Sequence, residues 1–535
     1  MERSDLTDTT TQTADPGSPC LGELVRALAA MDYGSALLLR SLGREGHAEA
    51  LAGNPAGACW HLDRRTGPGE DGAPARESLL TRAFFLRMPV DRDDLARLLG
   101  TSLVDELCTA GVLSESRREG APATVRSQVD VRPVAHPVHR ADGGEALVVS
   151  DADASLEDRN PGADHVPGVG QAPLTLLNQV PSTPVGRLLD LGTGSGVLAL
   201  TVDAWQTVAT DVHDRALDFA RASHRSVTDR TVDWRTGSWF DPVEGEKFDR
   251  IISNPPFVVG PAEDGQIYRD SGLRLDDATR TVVQGAAEHL AHGGTAHLLG
   301  AWATSLSESA ASRVAGWIPA EGVRAWVIQR DEVSPSVYVR TWTADASLDL
   351  RTPAGQTRVR RWLDYLDDNG VTRIGMGYVH MQRIDGPSEV TFEVLDSPDL
   401  GFVGDEVGEY FVRAGWLAQR DAGEILDARF QVRPGLAREN VEVARTDGDE
   451  PGFREAVVRL TRTDGPGFSH DIDDALSSVV AGLSPHGLNL RDVAGLYCAV
   501  NDLDEEEFTD ALVPLVVDLV RHGMVLPAEL LEEEA

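Results

Sequence analysis

Arg187-Leu188-Leu189-Asp190-Leu191-Gly192-Thr193-Gly194-Ser195-Gly196-Val197-Leu198-Ala199-Leu200 is the stretch on which the fold turns. A short apolar run enters a glycine loop, and a second apolar run leaves it with helical character. Glycine belongs where a backbone turns sharply and lets a ligand come close. The helix start beyond such a loop offers unpaired N–H groups and the positive end of a dipole. Working outward, short apolar strands are expected at residues 207–210, 231–234, 250–253, 295–299 and 325–329, alternating with helical stretches. Residues 375–382 and 390–394 read as closing strands, with a helical insert around 359–366 before them. That alternation marks βαβ units on a mostly parallel sheet, an α/β fold.

The loop spacing sorts the ligands it suits. A dinucleotide loop reads G-x-G-x-x-G. Counted from Gly192, the second glycine is Gly194 and the third would fall at Val197, whereas Gly196 comes one residue early. Asp190 precedes the first glycine by two residues, where its carboxylate repels a pyrophosphate and attracts an ammonium group. S-adenosyl-L-methionine carries an α-amino group and a sulfonium and no phosphate, so the pattern favours it as cofactor. Asp211 ends the second strand, 21 residues after Asp190. An acid at about that offset binds ribose hydroxyls, and a carboxylate accepts both hydrogen bonds of a cis-diol. Gly237-Ser238-Trp239-Phe240 follows the third strand, where the adenine is expected. Ser238 offers a hydroxyl there and Trp239 a ring face; core packing of Trp239 and Phe240 is the competing reading.

Phe248-Asp249-Arg250-Ile251-Ile252-Ser253-Asn254-Pro255-Pro256-Phe257 carries the chemistry. Two successive prolines forbid helix and remove two N–H donors. They hold Asn254 extended. An amide or exocyclic NH₂ has its lone pair delocalised and is a poor nucleophile. Two acceptors on its two protons, the Asn254 side-chain oxygen and the Pro255 carbonyl, would turn the lone pair toward a methyl donor. Phe257 can stack on a flat target group. Such a displacement is helped by positioning and by preorganised dipoles, without a strong base.

These residues resemble the class I Rossmann-fold S-adenosylmethionine-dependent N-methyltransferases that carry an N-P-P-[FYW] motif. That group includes release-factor glutamine-N5, ribosomal RNA guanine-N2 and adenine-N6 methyltransferases. The resemblance covers roughly residues 160–395 and implies a seven-stranded Rossmann-like methyltransferase sheet. It implies cofactor contacts from Asp190, Gly192, Thr193, Gly194, Gly196, Asp211, Ser238, Trp239 and Asn254. It implies a catalytic role for Asn254, Pro255, Pro256 and Phe257. Phe257 is similar to the RNA guanine group, while Pro173-Leu174-Thr175 is similar to a P-x-T element of the glutamine group. Ser238 departs from the acid usual at its position. A base in ribosomal RNA is the leading target and a release-factor glutamine the alternative. A non-catalytic cofactor-binding scaffold is the reading from a different class, opposed by the joint presence of the acid-glycine loop and the stiff acceptor loop. A small-molecule methyltransferase would have no need of the N-P-P-F loop. Tyr268-Arg269-Asp270-Ser271-Gly272 is expected near the target pocket, with Arg269 facing a phosphate or an acid, or paired on the surface.

Composition bounds the rest. The chain has 535 residues, 49 basic and 86 acidic, for a net charge of −37. Such an anion repels a phosphate backbone unless its arginines cluster, which weighs against a general nucleic-acid binder. Cys20, Cys59, Cys108 and Cys498 are scattered without C-x-x-C spacing. No metal site or disulfide framework is therefore expected, and the cytoplasm is the expected setting. No apolar run of about 18 residues points to a membrane span. The expected segments are a disordered leader at 1–20, a helical or winged-helix-like domain at 21–116 and a small β element or linker at 117–160. The methyltransferase domain follows at 161–397, then a mixed α/β and possible winged-helix-like domain at 398–531, and an acidic tail at 532–535.

Overall fold

Runs of Leu, Val and Ile that are apolar on both faces make strands covered on both sides, as a parallel sheet requires. In the computed structural model, which describes residues 14–66, 75–138, 144–152, 164–261, 272–345, 348–395, 401–445 and 452–532, these runs form one eight-stranded sheet. Its strands are β1 (Val185–Leu191), β2 (Ala204–Asp211), β3 (Val232–Thr236), β4 (Phe248–Ser253), β5 (Leu290–Thr304), β6 (Glu321–Val333), β7 (Arg373–Pro387) and β8 (Glu389–Val394). The order across the sheet is β8-β6-β7-β5-β4-β1-β2-β3. Only β7 runs antiparallel to its neighbours, β5 and β6. All eight expected strand segments are present, one more strand than the seven implied by the resemblance. The extra strand is β8, which pairs parallel with the outer side of β6. Ser388 turns the chain beneath the start of β6, its amide donating to the Ala320 carbonyl (3.0 Å) and its hydroxyl oxygen accepting from the Val323 amide (3.0 Å).

Helix Asp277–His289 packs through Val282, Val283, Ala286 and Ala287 against Leu189, Ile251, Leu298 and Val379 on one face. The expected insert is a pair of helices, Pro335–Asp345 and Pro353–Asp368, which bury Tyr338, Trp362 and Leu366 beside Ala301 and Ile374. Inside the sheet, Trp302 of β5 donates to the Gln329 side chain of β6 at 2.8 Å, reaching across β7 at Gly375. A Cβ at Gly375 would lie 2.1 Å from Trp302 Nε1 and 2.4 Å from Gln329 Oε1. Glycine is required there because two buried polar groups meet over the strand.

Residues 1–177 and 182–396 form one unit. Its N-terminal part carries helices Arg92–Leu99 and Thr101–Thr109 joined at Gly100, whose φ is +90°. Asp91 caps the first of them through the amides of Asp93 and Asp94. Strand Thr124–Ser127 lies between Val90–Asp91 and Leu113–Ser116 in an antiparallel sheet. The two helices and this three-stranded sheet belong to the segment expected at 21–116, but the sheet's central strand falls beyond the boundary expected at residue 116. The second helix presents Asp105 and Glu106, and Asp105 pairs with Arg92. Residues 117–160 contain a two-stranded ribbon, Val129–Val134 with Ala146–Asp151, held to helix Asp214–Ser223 by the Val149 amide on Ser223 Oγ (2.8 Å). The disordered leader expected at 1–20 does not reach its expected end. Ala14 is buried, Asp15 N donates to Ala110 O (2.9 Å) and a helix opens at Pro19. Residues 1–13 of that leader, and 533–535 of the acidic tail, lie outside the described residues.

Residues 178–181 and 397–535 form a second unit. Strand Phe430–Val432 pairs with Val525–Pro527, and Ala437–Ala444, Phe453–Thr461 and Ser469–Ile472 make an antiparallel sheet. Around them stand helices Gly404–Ala418, Asp474–Gly482, Leu490–Asn501 and Glu505–Arg521. Buried Glu406 meets Arg413 and, at 2.7 Å, Arg462. The same guanidiniums donate to the carbonyls of Arg521 (3.3 Å) and His522 (3.0 Å), closing the end of helix Glu505–Arg521. Buried charges are tolerated because each is both paired and hydrogen-bonded.

Gly375→Ala is expected to cost about 1–3 kcal/mol, the usual penalty for overpacking a core, and to lower the melting temperature. Gly170→Ala, whose Cβ would meet nothing within 4 Å, should leave it unchanged. Equal melting of the wild type and Gly375→Ala would contradict the bridge over β7.

Candidate active site

Parallel pairing brings the two motifs to one sheet edge. Leu191 of β1 sits in register with Thr210 of β2 and with Ser253 of β4. Parallel neighbours are about 4.8 Å apart, so the glycine loop and the Asn254 loop leave the sheet side by side. Ser253 ties them together, its hydroxyl donating to the Leu191 carbonyl at 2.8 Å.

The glycine loop folds against the end of β2. The amides of Gly192 and Thr193 both donate to the Thr210 carbonyl at 2.9 Å. Gly192 and Gly194 have φ of +72° and +55°, and a Cβ on either would meet nothing within 4 Å. The left-handed backbone demands glycine there, and the space above the loop is open. Gly196 is different: its Cβ would press on Ala220 at 3.2 Å. The helix that follows, Val197–Thr201, is only five residues long, so its dipole is a smaller contribution than a long helix would make. Ser195 Oγ donates to the Pro167 carbonyl (3.1 Å), which brings the upstream segment beside the loop. Pro173, Leu174 and Thr175 lie in helix Gln171–Leu177, where Thr175 Oγ1 donates to Ala172 O (2.9 Å).

The two acids differ in what holds them. Asp190 is buried, and its Oδ2 accepts from Thr193 Oγ1 (2.6 Å) and from the Ala199 amide (2.9 Å). Among the described residues its Oδ1 is buried without a hydrogen-bond partner. Burial pushes its pKa up to about 7, against the two hydrogen bonds that favour the charged form. Asp211 accepts from the amides of Gly194 and His213, both at 2.9 Å. Burial raises its pKa as well, and the same amides oppose the shift. An orphaned carboxylate oxygen beside an open glycine loop fits a cationic ligand that completes the missing contact.

Asn254 follows β4 and is half-buried. Among the described residues its carboxamide has no hydrogen-bond partner. Pro255 is buried behind it, and Phe257 packs edge-to-face on Trp342 with ring centroids 6.5 Å apart. The loop is then clamped from the insert: Val259 N donates to buried Tyr338 Oη at 2.8 Å, and a Cβ at Gly260 would press on Trp362 at 3.2 Å. Asp276, at the start of helix Asp277–His289, binds Arg313 at 2.5 and 2.7 Å and accepts from the Ala303 amide at 2.7 Å.

Ser238 is exposed, in the turn whose Gly237 amide donates to Asp211 O at 3.0 Å. Trp239 is half-buried at φ +45°, a left-handed conformation that a bulky residue adopts only under constraint. Phe240 is core: it is buried and stacks on His289 at 4.6 Å. Asp190, Gly192, Thr193, Gly194, Gly196, Asp211 and the Ser238–Trp239 turn thus line one stretch of sheet edge, with Asn254 next to it. Residues 268–271, expected near the pocket, lie outside the described residues; Gly272 is exposed. Ser253, Tyr338 and Trp342 were not singled out, because only the folded contact reveals them. Among the described residues no group of three or more His, Cys, Asp or Glu side chains could hold a metal, and no helix is long and apolar enough to cross a membrane.

Residues 408–527 match a domain of unknown function, and residues 167–301 match the methyltransferase small domain. The release factor glutamine methyltransferase of Xylella fastidiosa is 34% identical over 132 residues, 22% of this chain and 47% of that protein. The one of Neisseria gonorrhoeae is 37% identical over 126 residues, 20% of this chain and 45% of that protein. The chain spans about half or less of the length of the curated relatives it matches. Among solved structures, a T. thermophilus 16S rRNA N2 guanine methyltransferase in complex with AdoMet and guanosine is 20% identical, over 48% of this chain and 62% of that one, with a TM-score of 0.24. The match to the methyltransferase small domain spans the glycine loop and strands β1 to β4, which carry both motifs.

Proposed function

We propose that this chain transfers a methyl group from S-adenosyl-L-methionine to a planar exocyclic-amine or amide nitrogen. The observation that carries the reading is the Asn254 carboxamide, without a partner among the described residues, on a proline-stiffened loop one strand away from the open glycine loop. Asp190 and the backbone of Gly192, Thr193 and Gly194 hold the amino-acid end of the cofactor. Asp211 takes the ribose hydroxyls, and the Ser238–Trp239 turn borders the adenine. The bound cofactor supplies an electrophilic methyl on a sulfonium. Asn254 Oδ1 and the Pro255 carbonyl accept the two protons of the target NH₂ and aim its lone pair. Pro256 stiffens the loop. Phe257, braced by Trp342, offers a ring face to a flat target group. Ser253 and Tyr338 are positioning residues, since they pin the loop's two ends.

A base in ribosomal RNA is the leading acceptor, supported by Phe257 at the last motif position. A glutamine in a protein such as a release factor is the second reading. The relatives matched over the domain and the net charge of −37 favour it. Incubation of ribosomal RNA and release factors with methyl-labelled cofactor separates the two: label in RNA alone supports the first, label in protein alone the second, and label in neither contradicts both.

Asn254→Ala should lower transfer at least about 100-fold, the scale seen when one preorganised dipole is removed, while calorimetric affinity for S-adenosylmethionine stays near the wild-type value. Equal loss of both would make Asn254 structural. Asp211→Ala should weaken cofactor binding, and unchanged binding would contradict its ribose role.

Asp190 adds a pH signature. Its raised pKa means the ligand-free fold favours the protonated carboxyl, so this group's contribution to stability falls as pH rises from the ordinary carboxylate range to about 7. A cationic ligand favours the ionised form. Affinity for the cofactor should therefore rise with pH up to about 7 and level off above it, and Asp190→Asn should flatten the rise. The same pH profile in wild type and Asp190→Asn would contradict the assignment.

A further inference from the structure

The second unit carries an apolar groove that the methyltransferase site does not use. Helices Asp474–Gly482 and Leu490–Asn501 approach closely where Gly482 faces Val493, since a Cβ on Gly482 would lie 2.9 Å from Val493 Cγ1. Beside that crossing a groove of about 580 Å³ opens, lined by Asp474, Ser478, Leu488, Leu496, Tyr497 and Val500. Val493, Leu496, Tyr497 and Val500 recur at helical spacing, which makes one continuous stripe. Val493 is buried at the base of the stripe, but Leu496 is 59% exposed and Val500 83%. Leu488 and Leu503 extend the exposed apolar surface at its margins. An apolar stripe of this kind, repeated along a helix and left facing water, marks an interaction surface rather than a scatter of single side chains.

Acidic side chains at the groove define the occupant: Asp474 lines it, and Glu505 Oε1 lies 3.4 Å from where a Cβ on Gly495, next to Leu496, would stand. Between residues 471 and 510 the chain has ten acidic residues and one arginine. Three of the acids, Glu505, Glu506 and Glu507, stand together in the first turn of helix Glu505–Arg521, and Asp474 lines the groove itself. The arginine, Arg491, is bonded to Asp427 at 2.8 Å. We infer that this groove docks a basic amphipathic segment of a partner polypeptide, which buries aliphatic side chains on the Leu496–Val500 stripe and sets Lys and Arg against the acidic rim. Helix-in-groove recognition uses apolar anchors at i, i+3/i+4 and i+7, and the stripe offers the matching spacing. Charge complementarity selects this occupant over others. A nucleic acid would meet carboxylates of its own sign. A second copy of this chain, in a two-fold contact, would set the acidic rim against itself. The inference is independent of the proposed transfer reaction, because none of its residues belongs to the sheet edge.

Fluorescence anisotropy of the full chain with a labelled Leu/Lys amphipathic peptide tests it, alongside a Leu/Glu peptide of the same pattern and an oligolysine. The Leu/Lys peptide should bind, the Leu/Glu peptide should not, and oligolysine should bind at least about tenfold more weakly, a difference of about 1.4 kcal/mol. The double variant Leu496→Asp, Val500→Asp should weaken the Leu/Lys peptide at least about tenfold. Both side chains are exposed, and the milder Leu496→Ala, Val500→Ala pair should weaken it in the same direction. Undiminished binding by both variants, equal binding of oligolysine, or displacement of the peptide by an RNA oligomer would overturn the inference. So would a dimer in sedimentation that dissociates in the double variant, since a second copy would then be the occupant. Asp211→Ala should bind the peptide as the wild type does, which keeps this test separate from that of the cofactor site.

Discussion

The structure depends on the parallel pairing of β1 with both β2 and β4. That pairing sets Leu191 beside Thr210 on one side and Ser253 on the other. Everything proposed for the site follows from the shared edge. Asp211 reaches the glycine loop because β2 ends in register with β1, so one of its oxygens accepts the Gly194 amide. Asn254 reaches the same neighbourhood because β4 ends beside β1, and the Ser253 hydroxyl locks the two ends together. A shift of one residue in either register would move the acid or the amide to the other face of the sheet.

The site holds groups that the fold alone would not favour. Asp190 is buried with one oxygen unpaired and its carboxyl shifted far above its ordinary range. Trp239 sits in a left-handed backbone conformation. Asn254 is half-buried, and among the described residues its carboxamide has no hydrogen-bond partner. Each has a cost that packing elsewhere offsets, in the double-sided core of the sheet and in the clamp from Tyr338, Trp342 and Trp362. Clustered departures of this kind are the mark of a functional site. A cationic ligand at the loop and a planar NH₂ at Asn254 would satisfy the two orphaned groups together.

Much of this was legible in the sequence because it is local. Asp190, Gly192, Gly194 and Asp211 are recognised by their positions at strand ends, and Asn254–Pro255–Pro256 by the stiffness that proline imposes. What was not legible is non-local. The Ser253–Leu191 bond spans 62 residues and the Val259–Tyr338 bond spans 79. The clamp on Phe257 comes from Trp342 in the insert, whose packing no periodicity specifies. Phe240 read equally as site or core, and its stacking on His289 makes it core. The helix after the glycine loop was expected to offer unpaired N–H groups and the positive end of a dipole, and its length was not legible: it ends at Thr201 because Val202 already turns to extended backbone. The boundary expected at residue 116 falls short because the strand Thr124–Ser127, which pairs with Leu113–Ser116, lies beyond a polar turn.

The central claim is that the acid-glycine loop and the Asn254 loop serve one bound cofactor. A crystal structure of the full chain with S-adenosylhomocysteine tests it most directly. The account predicts the ligand's amino group at Asp190, its ribose hydroxyls at Asp211 and its sulfur facing Asn254. A ligand bound away from the glycine loop, or with its sulfur turned from Asn254, would contradict it.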